Sequence, residues 1–254
     1  MLFTADGKIE KLKLRVLTYN IHNGIDWRGN YRLKRILEFI GDVEPDLAGL
    51  QEVSRFWGLK THNQDMAQII AEELKMFVFF GPALSKGKKA FGNLILSKHP
   101  IVNGWIGILP GGSEPRNFTG IQALIRGFRI NFLTTHLGLD TEERLSQAAR
   151  IGKFGRGLGK PLIITGDFNE PAGGPGVALL KKNWIKLGRQ PERGTLRLRR
   201  GEIGPEIDLI FTTPDFTLKR LSVVDNYLSD HLPVIADLEL DRQWSRSSGN
   251  QIYY

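Results

Sequence analysis

The stretch PLIITGDFNEP, residues 161–171, ends an apolar run with polar side chains. Residues 162–165 are apolar or β-branched, as is typical of the interior of a sheet, and Asp167 and Asn169 follow closely. Because alternate residues of an extended chain project to the same face, this spacing predicts a carboxylate and a carboxamide side by side. The end of this strand is therefore a candidate for part of a functional site.

Strands and helices are mixed along the rest of the chain. Apolar residues at helical spacing predict helices over 31–46 and 141–155, a short helix near 174–182, and one over 63–76 with an Asn cap at its start. Most other apolar segments are short and strand-like. Without a short repeat or a low-complexity linker, this pattern indicates one α/β domain with layered, mixed sheets.

The composition is that of an ordinary globular protein, with 254 residues, 41% hydrophobic and 24% charged. No apolar run reaches the roughly 18 residues that span a bilayer. The N-terminus does not resemble a secretory signal, so we expect a cytoplasmic protein, with a trimmed secreted form left open. The absence of cysteine excludes disulfides, thiolate metal sites and cysteine nucleophiles.

The chain is basic, with a formal net charge of +8 at pH 7. A basic protein favours polyanionic partners such as nucleic acid or an anionic lipid surface. Net charge also serves solubility, so it does not by itself identify a partner.

Polar side chains end several of the predicted strands. Taken singly, each has a structural explanation, because Asp and Asn cap turns and a lone histidine is more often structural than catalytic. Together they would supply four carboxylates, two carboxamides and two histidines at one edge of the sheets, where ligands commonly bind. Such oxygen-rich sets suit Mg²⁺ or Mn²⁺ better than zinc. The set is Asn20, Glu52, His136, Asp167, Asn169, Asp208, Asp230 and His231.

The motifs around these residues resemble the endonuclease/exonuclease/phosphatase superfamily, which includes deoxyribonuclease-like enzymes. The segments TYNIHNG, LQEV, SEPRNF, TTHL, TGDFNEP, EIDLIF and SDHLPV follow one another in the order typical of that group. The resemblance covers residues 13–240, which we take as the domain, with an N-terminal extension at 1–12 and a polar tail at 241–254. It implies a four-layer α/β sandwich of two packed mixed β-sheets flanked by helices.

The resemblance also implies roles for the site residues. Glu52 would be the main ligand of Mg²⁺ or Mn²⁺, with Asn20 and Asp230 nearby. Asp167 and Asn169 would orient or deprotonate the attacking water beside the phosphate, and Asn169 would also bind the phosphate.

The remaining roles concern the phosphate and its leaving group. His231 and Asp208 would form a hydrogen-bonded pair, His136 would donate to a phosphate oxygen or assist the leaving group, and Arg116 would hold the phosphate. An exposed surface arginine is the alternative interpretation of Arg116.

One position departs from part of the family. His22 stands where abasic-site endonucleases usually carry a metal-binding aspartate, which weakens an assignment to abasic-site repair. His62 and His99 match no motif and are expected at the surface or in turns. A catalytically silent nucleic-acid-binding module should lack some of the catalytic residues, and none is missing here.

The substrate is predicted from the basic segments outside the motifs. One segment, 187–205, carries Arg189, Arg193, Arg197, Arg199 and Arg200; the other, 85–93, carries Lys86, Lys88 and Lys89. Such segments can bind a nucleic-acid backbone or an anionic membrane, or simply be solvated. Without an apolar membrane-inserting hairpin, a monomeric metal-dependent DNA nuclease is favoured. The alternatives are a sphingomyelinase-like phosphodiesterase and a small-molecule phosphatase.

Overall fold

The computed structural model describes residues 11–188, 193–198 and 200–240, and twelve strands and four α-helices lie within them. The strands are β1 (Leu12–Asn20), β2 (Leu47–Arg55), β3 (Phe77–Lys86), β4 (Lys89–Ser97), β5 (Ile101–Ile108), β6 (Asn117–Ile125), β7 (Phe128–His136), β8 (Leu162–Asp167), β9 (Ile185–Lys186), β10 (Asp208–Thr212), β11 (Phe216–Val223) and β12 (Val234–Leu240). The helices are α1 (Leu33–Val43), α2 (Met66–Leu74), α3 (Thr141–Leu158) and α4 (Pro175–Lys181). A 3₁₀ turn, His22–Gly24, follows β1.

The strands form two six-stranded mixed sheets. The first has the order β11-β12-β1-β2-β4-β3 and the second β5-β6-β7-β8-β10-β9. In each sheet a central pair is parallel, β1 with β2 and β7 with β8, whereas the other named pairs are antiparallel. The carboxyl ends of each parallel pair therefore lie at the same end of its sheet.

The layers follow from which side chains are buried together. One cluster holds residues of both sheets, such as Val16 of β1 and Phe132 of β7, so the two sheets pack face to face. A second cluster packs α1 and α2 against the outer face of the first sheet. A third packs α3 and α4 against the second sheet. The predicted four-layer α/β sandwich is confirmed.

A few polar side chains bridge the sheets beneath the strand ends. The Gln51 Nε2 atom donates to Thr134 Oγ1 at 2.8 Å and to Thr18 Oγ1 at 3.2 Å. Gly49 provides the room for this contact, because a Cβ atom there would lie 2.5 Å from the hydroxyls of both Thr134 and Thr165. The sheets thus approach closely below the site.

The helices differ from the sequence prediction mainly at their ends. The predicted Asn63 cap is wrong, because Asn63 sits in a turn at φ +51° and the Asp65 carboxylate instead accepts the N–H of Gln68 at the start of α2. Helix α3 begins at Thr141 as predicted, after Asp140 accepts the N–H groups of Glu142 and Glu143. Local capping chemistry decides both starts.

The proposed extension 1–12 and tail 241–254 lie outside the described residues, apart from Lys11 and Leu12. Strand β1 begins at Leu12. The division of the chain into an extension, a domain and a tail stays a prediction. Among the described residues, none of the helices is long and apolar enough to cross a membrane.

Candidate active site

Three predicted site residues lie in one row across the second sheet. His136 ends β7, Asp167 ends β8 and Asp208 begins β10, and the strand register pairs Asp167 with both of the others. On the first sheet, Asn20 ends β1 opposite Gln51 of β2. The register of the sheets therefore gathers residues that are more than a hundred positions apart in the chain.

Asp167 is the centre of this arrangement. Its Oδ2 atom accepts a hydrogen bond from Asn20 Nδ2 at 3.0 Å and lies 3.5 Å from Nε2 of both His136 and His231. Burial raises the pKa of this carboxyl, while the neighbouring imidazoles act in the opposite direction. A carboxylate whose pKa is raised by burial is suited to accept a proton from a bound water.

His231 and Asp208 form the pair that the resemblance implied. The His231 Nδ1 atom lies 2.9 Å from Asp208 Oδ2, and Nε2 faces Asp167. Burial lowers the pKa of His231, but the charges of Asp208 and Asp167 outweigh burial and raise it to about 10. The imidazole is therefore cationic at neutral pH, with an N–H directed at each carboxylate.

His136 has the opposite protonation state. Burial, opposed by Asp167 and assisted by the Arg116 charge, lowers the pKa of His136 to about 3. Arg116 Nη1 donates to His136 Nδ1 at 3.0 Å. Since a guanidinium can only donate, Nδ1 is the acceptor, and the proton of the neutral ring is on Nε2, facing Asp167. The site therefore holds one neutral and one cationic imidazole.

Arg116 is not the exposed surface arginine of the alternative interpretation. It is 6% exposed, and its Nη2 atom donates to Glu114 Oε2 at 3.0 Å. The two hydrogen bonds fix the guanidinium against His136, and its Nε atom is buried without a partner among the described residues. Its predicted contact with phosphate stays a prediction.

Asn169 is close to Asp167, but not for the reason that the sequence suggested. The prediction that both residues project from one extended strand is wrong, because β8 ends at Asp167 and Asn169 has φ +50°. The chain instead turns, the Asn169 N–H donates to Asp167 Oδ1 at 2.9 Å, and Asn169 Nδ2 donates to the Leu137 carbonyl at 2.8 Å. Asparagine tolerates this left-handed conformation better than most residues. The turn orients the Asp167 carboxylate.

The predicted metal ligands are joined in part. Asn20 Nδ2 donates to Glu52 Oε1 at 2.9 Å. The side chain of Asp230 instead contacts Ser229 and His22. Asp230 Oδ1 accepts from Ser229 Oγ at 3.2 Å and lies 3.3 Å from His22 Nδ1. His22 in turn donates its N–H to Asn20 Oδ1, so Asp230 is linked to Asn20 through His22.

The donor set fits a hard divalent cation. Glu52 and Asp230 are both partly exposed, and Glu52 Oε2 has no hydrogen bond among the described residues, so carboxylate oxygens remain available. A second group, Asp167, Asp208 and His231, has ligand atoms within 4.8 Å of one another. There, both nitrogens of His231 face carboxylates, so an ion would have to replace a proton of the imidazole. Glu52 is therefore the better anchor for Mg²⁺ or Mn²⁺.

Thr195 is a positioning residue that the sequence did not single out. Its hydroxyl accepts the N–H groups of Ile207 and Asp208, each at 3.0 Å, and its carbonyl accepts the N–H of Leu232 at 2.6 Å. It therefore ties the strand of Asp208 to the loop of His231. A lone threonine in a basic segment has no motif that would reveal this role.

The basic segment 187–205 is only in part a solvated patch. Arg189 and Arg199 lie outside the described residues, and Arg200 is exposed. Arg197 is neither solvated nor free to bind a phosphate backbone, unlike what the sequence predicted for this segment. It is 6% exposed, and its guanidinium binds Asp225 and the Gly201 carbonyl. Arg193 also pairs with Asp225, at 3.6 Å. The lysines of segment 85–93 are exposed at the hairpin of β3 and β4, where Lys86 ends β3, Lys88 lies in the turn and Lys89 begins β4.

The two remaining histidines lie outside this group. His62 is exposed in a turn at φ +54°, as predicted. His99 follows β4, with Nε2 3.0 Å from Asp46 Oδ1.

Comparison with known proteins identifies the class. The sequence pattern of the endonuclease/exonuclease/phosphatase family matches residues 17–231. The chain belongs to this family, whose members are metal-dependent phosphoesterases. A search of curated proteins gave no match.

Solved structures share the fold at low sequence identity. A family member from Bacteroides thetaiotaomicron has a TM-score of 0.77 and 21% identity over 91% of this chain and 99% of its own. The mannosyl-6-phosphatase of the same organism has a TM-score of 0.73 and 21% identity over 89% and 99%. A humanized TDP2 of D. rerio has a TM-score of 0.71 and 18% identity over 89% and 98%.

Proposed function

We propose that the protein is a divalent-metal-dependent phosphodiesterase that hydrolyses DNA by in-line attack of an activated water. The observation that carries the proposal is the surroundings of Asp167, whose Oδ2 faces Asn20, His136 and His231 at 3.0, 3.5 and 3.5 Å. One carboxylate is thus placed next to two N–H donors that can bind phosphate oxygens. This is the combination that hydrolysis of a phosphoester requires.

The residues divide the chemistry between them. Asp167 accepts a proton from the attacking water, and the Asn169 N–H holds the carboxylate in place. His231, kept cationic by Asp208, donates to a phosphate oxygen as negative charge increases there in the transition state. Neutral His136 donates through Nε2 to the phosphate or to the leaving oxygen, in the orientation that Arg116 fixes.

Glu52, Asn20 and Asp230 would hold Mg²⁺ or Mn²⁺, which when bound supplies positive charge to the phosphate oxygens. Asn20 also links the two parts of the site, because its Nδ2 atom donates both to Glu52 and to Asp167. The position of a bound cation relative to the Asp167 carboxylate would therefore be fixed.

The choice of DNA as substrate is supported by the net positive charge of the chain and by the exposed lysines at the hairpin of β3 and β4. The net charge is +8, and Lys86, Lys88 and Lys89 are exposed. Cationic side chains of this kind bind phosphate backbones with strong dependence on salt. A protein specific for one small phosphate monoester needs no such surface.

The test is incubation with supercoiled double-stranded DNA and Mg²⁺ or Mn²⁺, with EDTA and Asp167→Asn as the two negative controls. Asp237→Asn is the matched control variant, because Asp237 pairs with Arg15 away from the site. The proposal is supported if the parent protein and Asp237→Asn nick the DNA, and the EDTA sample and Asp167→Asn do not. Intact DNA, together with hydrolysis of sphingomyelin or of a sugar phosphate by the same folded preparation, would overturn it.

A further inference from the structure

A groove of about 460 Å³ lies between the segment after β1 and the loop that precedes Asp230. Its lining includes Asp26, Trp27 and Arg28 on one side and Asn226 and Tyr227 on the other. Aromatic and basic side chains are thus interleaved within one concave surface.

Arg197 holds the two aromatic rings of this groove. Its guanidinium carbon is 4.3 Å from the centre of the Tyr227 ring and 5.8 Å from that of Trp27. Its hydrogen bonds to Asp225 and to the Gly201 carbonyl keep the guanidinium in place. Arg197 lies over the Tyr227 ring, yet Tyr227 remains 57% exposed, so a large part of this side chain is open to a ligand.

Arg28 carries a positive charge of the groove that no carboxylate of the described residues pairs with. Arg32 is paired with Asp26 at 2.9 Å and Arg35 with Glu38 at 2.9 Å. Arg28 is exposed and lies 4.7 Å from the centre of the Trp27 ring, and it has no carboxylate partner among the described residues. Stacking on Trp27 orients its guanidinium and leaves its N–H groups for an anion.

Asn226 adds a donor of fixed orientation. Its Oδ1 atom accepts hydrogen bonds from the Tyr19 hydroxyl at 3.1 Å and from the Leu228 N–H at 3.2 Å. Its Nδ2 atom is therefore the free end of the amide, buried and without a partner among the described residues. An unsatisfied buried donor is costly, and a ligand carbonyl or ring nitrogen would satisfy it.

Two contacts join the residues beside the groove to Asp230 of the candidate active site. The Arg197 N–H donates to the carbonyl of Asp230 at 2.6 Å, and Asp230 Oδ1 lies 3.3 Å from His22 Nδ1. His22 begins the turn that leads to Trp27, and Tyr227 lies three positions before Asp230. Trp27 and Tyr227, one on each wall of the groove, therefore lie close along the chain to the contacting pair His22 and Asp230.

We propose that this groove binds the nucleotide next to the scissile phosphodiester, in an unpaired segment of the substrate. The base stacks on the open face of Tyr227, with Asn226 near its polar edge, and Arg28 binds the adjacent phosphate. The proposal rests on the proposed nuclease function. Stacking on an aromatic ring is tolerant of sequence, so the groove would select unpaired bases and not a particular base.

The test separates the base from the phosphate backbone. Fluorescence anisotropy in EDTA, which prevents cleavage, measures binding of a labelled ten-nucleotide oligothymidine and of an abasic oligomer of equal length and charge. The parent protein should bind the base-containing oligomer about tenfold more tightly. Tyr227→Asn, chosen because Asn tolerates the φ of +56° at this position, should remove that preference and leave abasic binding unchanged.

Two further variants distinguish stacking from structure. Tyr227→Phe keeps the ring and should keep the preference, whereas Arg28→Gln should weaken binding of both oligomers equally and make it less salt-dependent. Phe77→Leu is the control, because Phe77 is 50% exposed on β3 at the far edge of the first sheet. It should change neither affinity.

The outcomes for the groove and for the nuclease are separable. Equal binding of both oligomers by a parent protein that nicks supercoiled DNA overturns the groove proposal alone. Base-dependent binding that Tyr227→Asn abolishes, in a protein that leaves DNA intact, supports the groove and overturns the nuclease. Tyr227-dependent binding of a sugar phosphate or of anionic phospholipid vesicles, without a preference for bases, overturns the groove proposal.

Discussion

Arg116 and His136 are joined by a 3.0 Å hydrogen bond from Nη1 to Nδ1, and this bond sets the tautomer of the histidine. The donor can only be the guanidinium, so the His136 proton is on Nε2, on the side of Asp167. A buried arginine that also binds Glu114 holds the neutral ring of His136 in one orientation.

Arg116→Lys should therefore reduce kcat although it preserves charge. Lysine lacks the planar fork that reaches both His136 and Glu114, and a small displacement of a catalytic group can cost about 10²-fold. Steady-state cleavage kinetics measure the effect, and the nitrogen shifts of His136 in NMR spectra report its tautomer. Arg129→Lys, in an exposed arginine that bonds Gln122, is the control. An unchanged kcat would show that the fork is not needed.

Asp167→Asn should lower the cleavage rate by about 10²–10⁴-fold, because the amide keeps the shape of the side chain but cannot accept the proton of the water. The same assay, with metal and DNA at saturation, measures kcat. Circular dichroism should show an unchanged fold, since the oxygen of the substituted amide can still accept the Asn169 N–H. Substantial activity in the variant would assign the base to another residue.

His136→Gln should change the pH dependence of stability. The pKa of His136 is about 3 when folded and about 6.5 when unfolded, so the unfolded chain binds the additional proton between these values. The contribution of His136 to the free energy of unfolding therefore falls as the pH drops below about 6.5, and by pH 5 it has fallen by about 2 kcal/mol. Chemical denaturation at pH 7.5 and pH 5 measures the free energy of unfolding.

In this experiment the His136→Gln variant should lose about 2 kcal/mol less than the parent between the two pH values. His62→Gln, in an exposed turn, is the matched control and should behave as the parent does. Equal pH dependence in parent and His136→Gln would contradict the neutral buried histidine.

Glu52→Gln should weaken metal binding, because it removes the charge of the predicted main ligand while retaining its size. Isothermal titration calorimetry with Mn²⁺ alone measures the dissociation constant, which should rise by roughly tenfold or more. Asp208→Asn tests the alternative group around His231. If that variant lost Mn²⁺ binding and Glu52→Gln retained it, the ion would belong to the Asp167–Asp208–His231 group.

Gly49→Ala should destabilise the fold by about 1–3 kcal/mol, because the added methyl group would overpack the space between the sheets. Its Cβ would lie 2.5 Å from the hydroxyls of Thr134 and Thr165. Gly157→Ala is the contrasting variant in α3, where a Cβ meets nothing within 4 Å, and it should be neutral or stabilising. Urea denaturation of both compares the two effects. A neutral Gly49→Ala would show that the sheets can separate there.

Much of the site could be predicted because its residues lie in short local motifs. Polar residues at the ends of apolar strands predicted Asn20 and Asp167 at one edge. Asp208 instead begins its strand, and the antiparallel register places it beside Asp167. The start of α3 was also predictable, since helix capping depends on adjacent residues. The substrate and the metal were not settled by these motifs.

The tertiary structure decided what depends on contacts between distant segments. The opposite protonation states of His136 and His231 follow from which charges surround each buried ring, and these charges come from other strands. The same holds for Arg197, which the sequence places in a basic run and the fold buries between Asp225 and Tyr227. The sequence by itself determined the elements and the donor atoms. Only the packing of two sheets determined burial, and burial determines how each of these groups holds its proton.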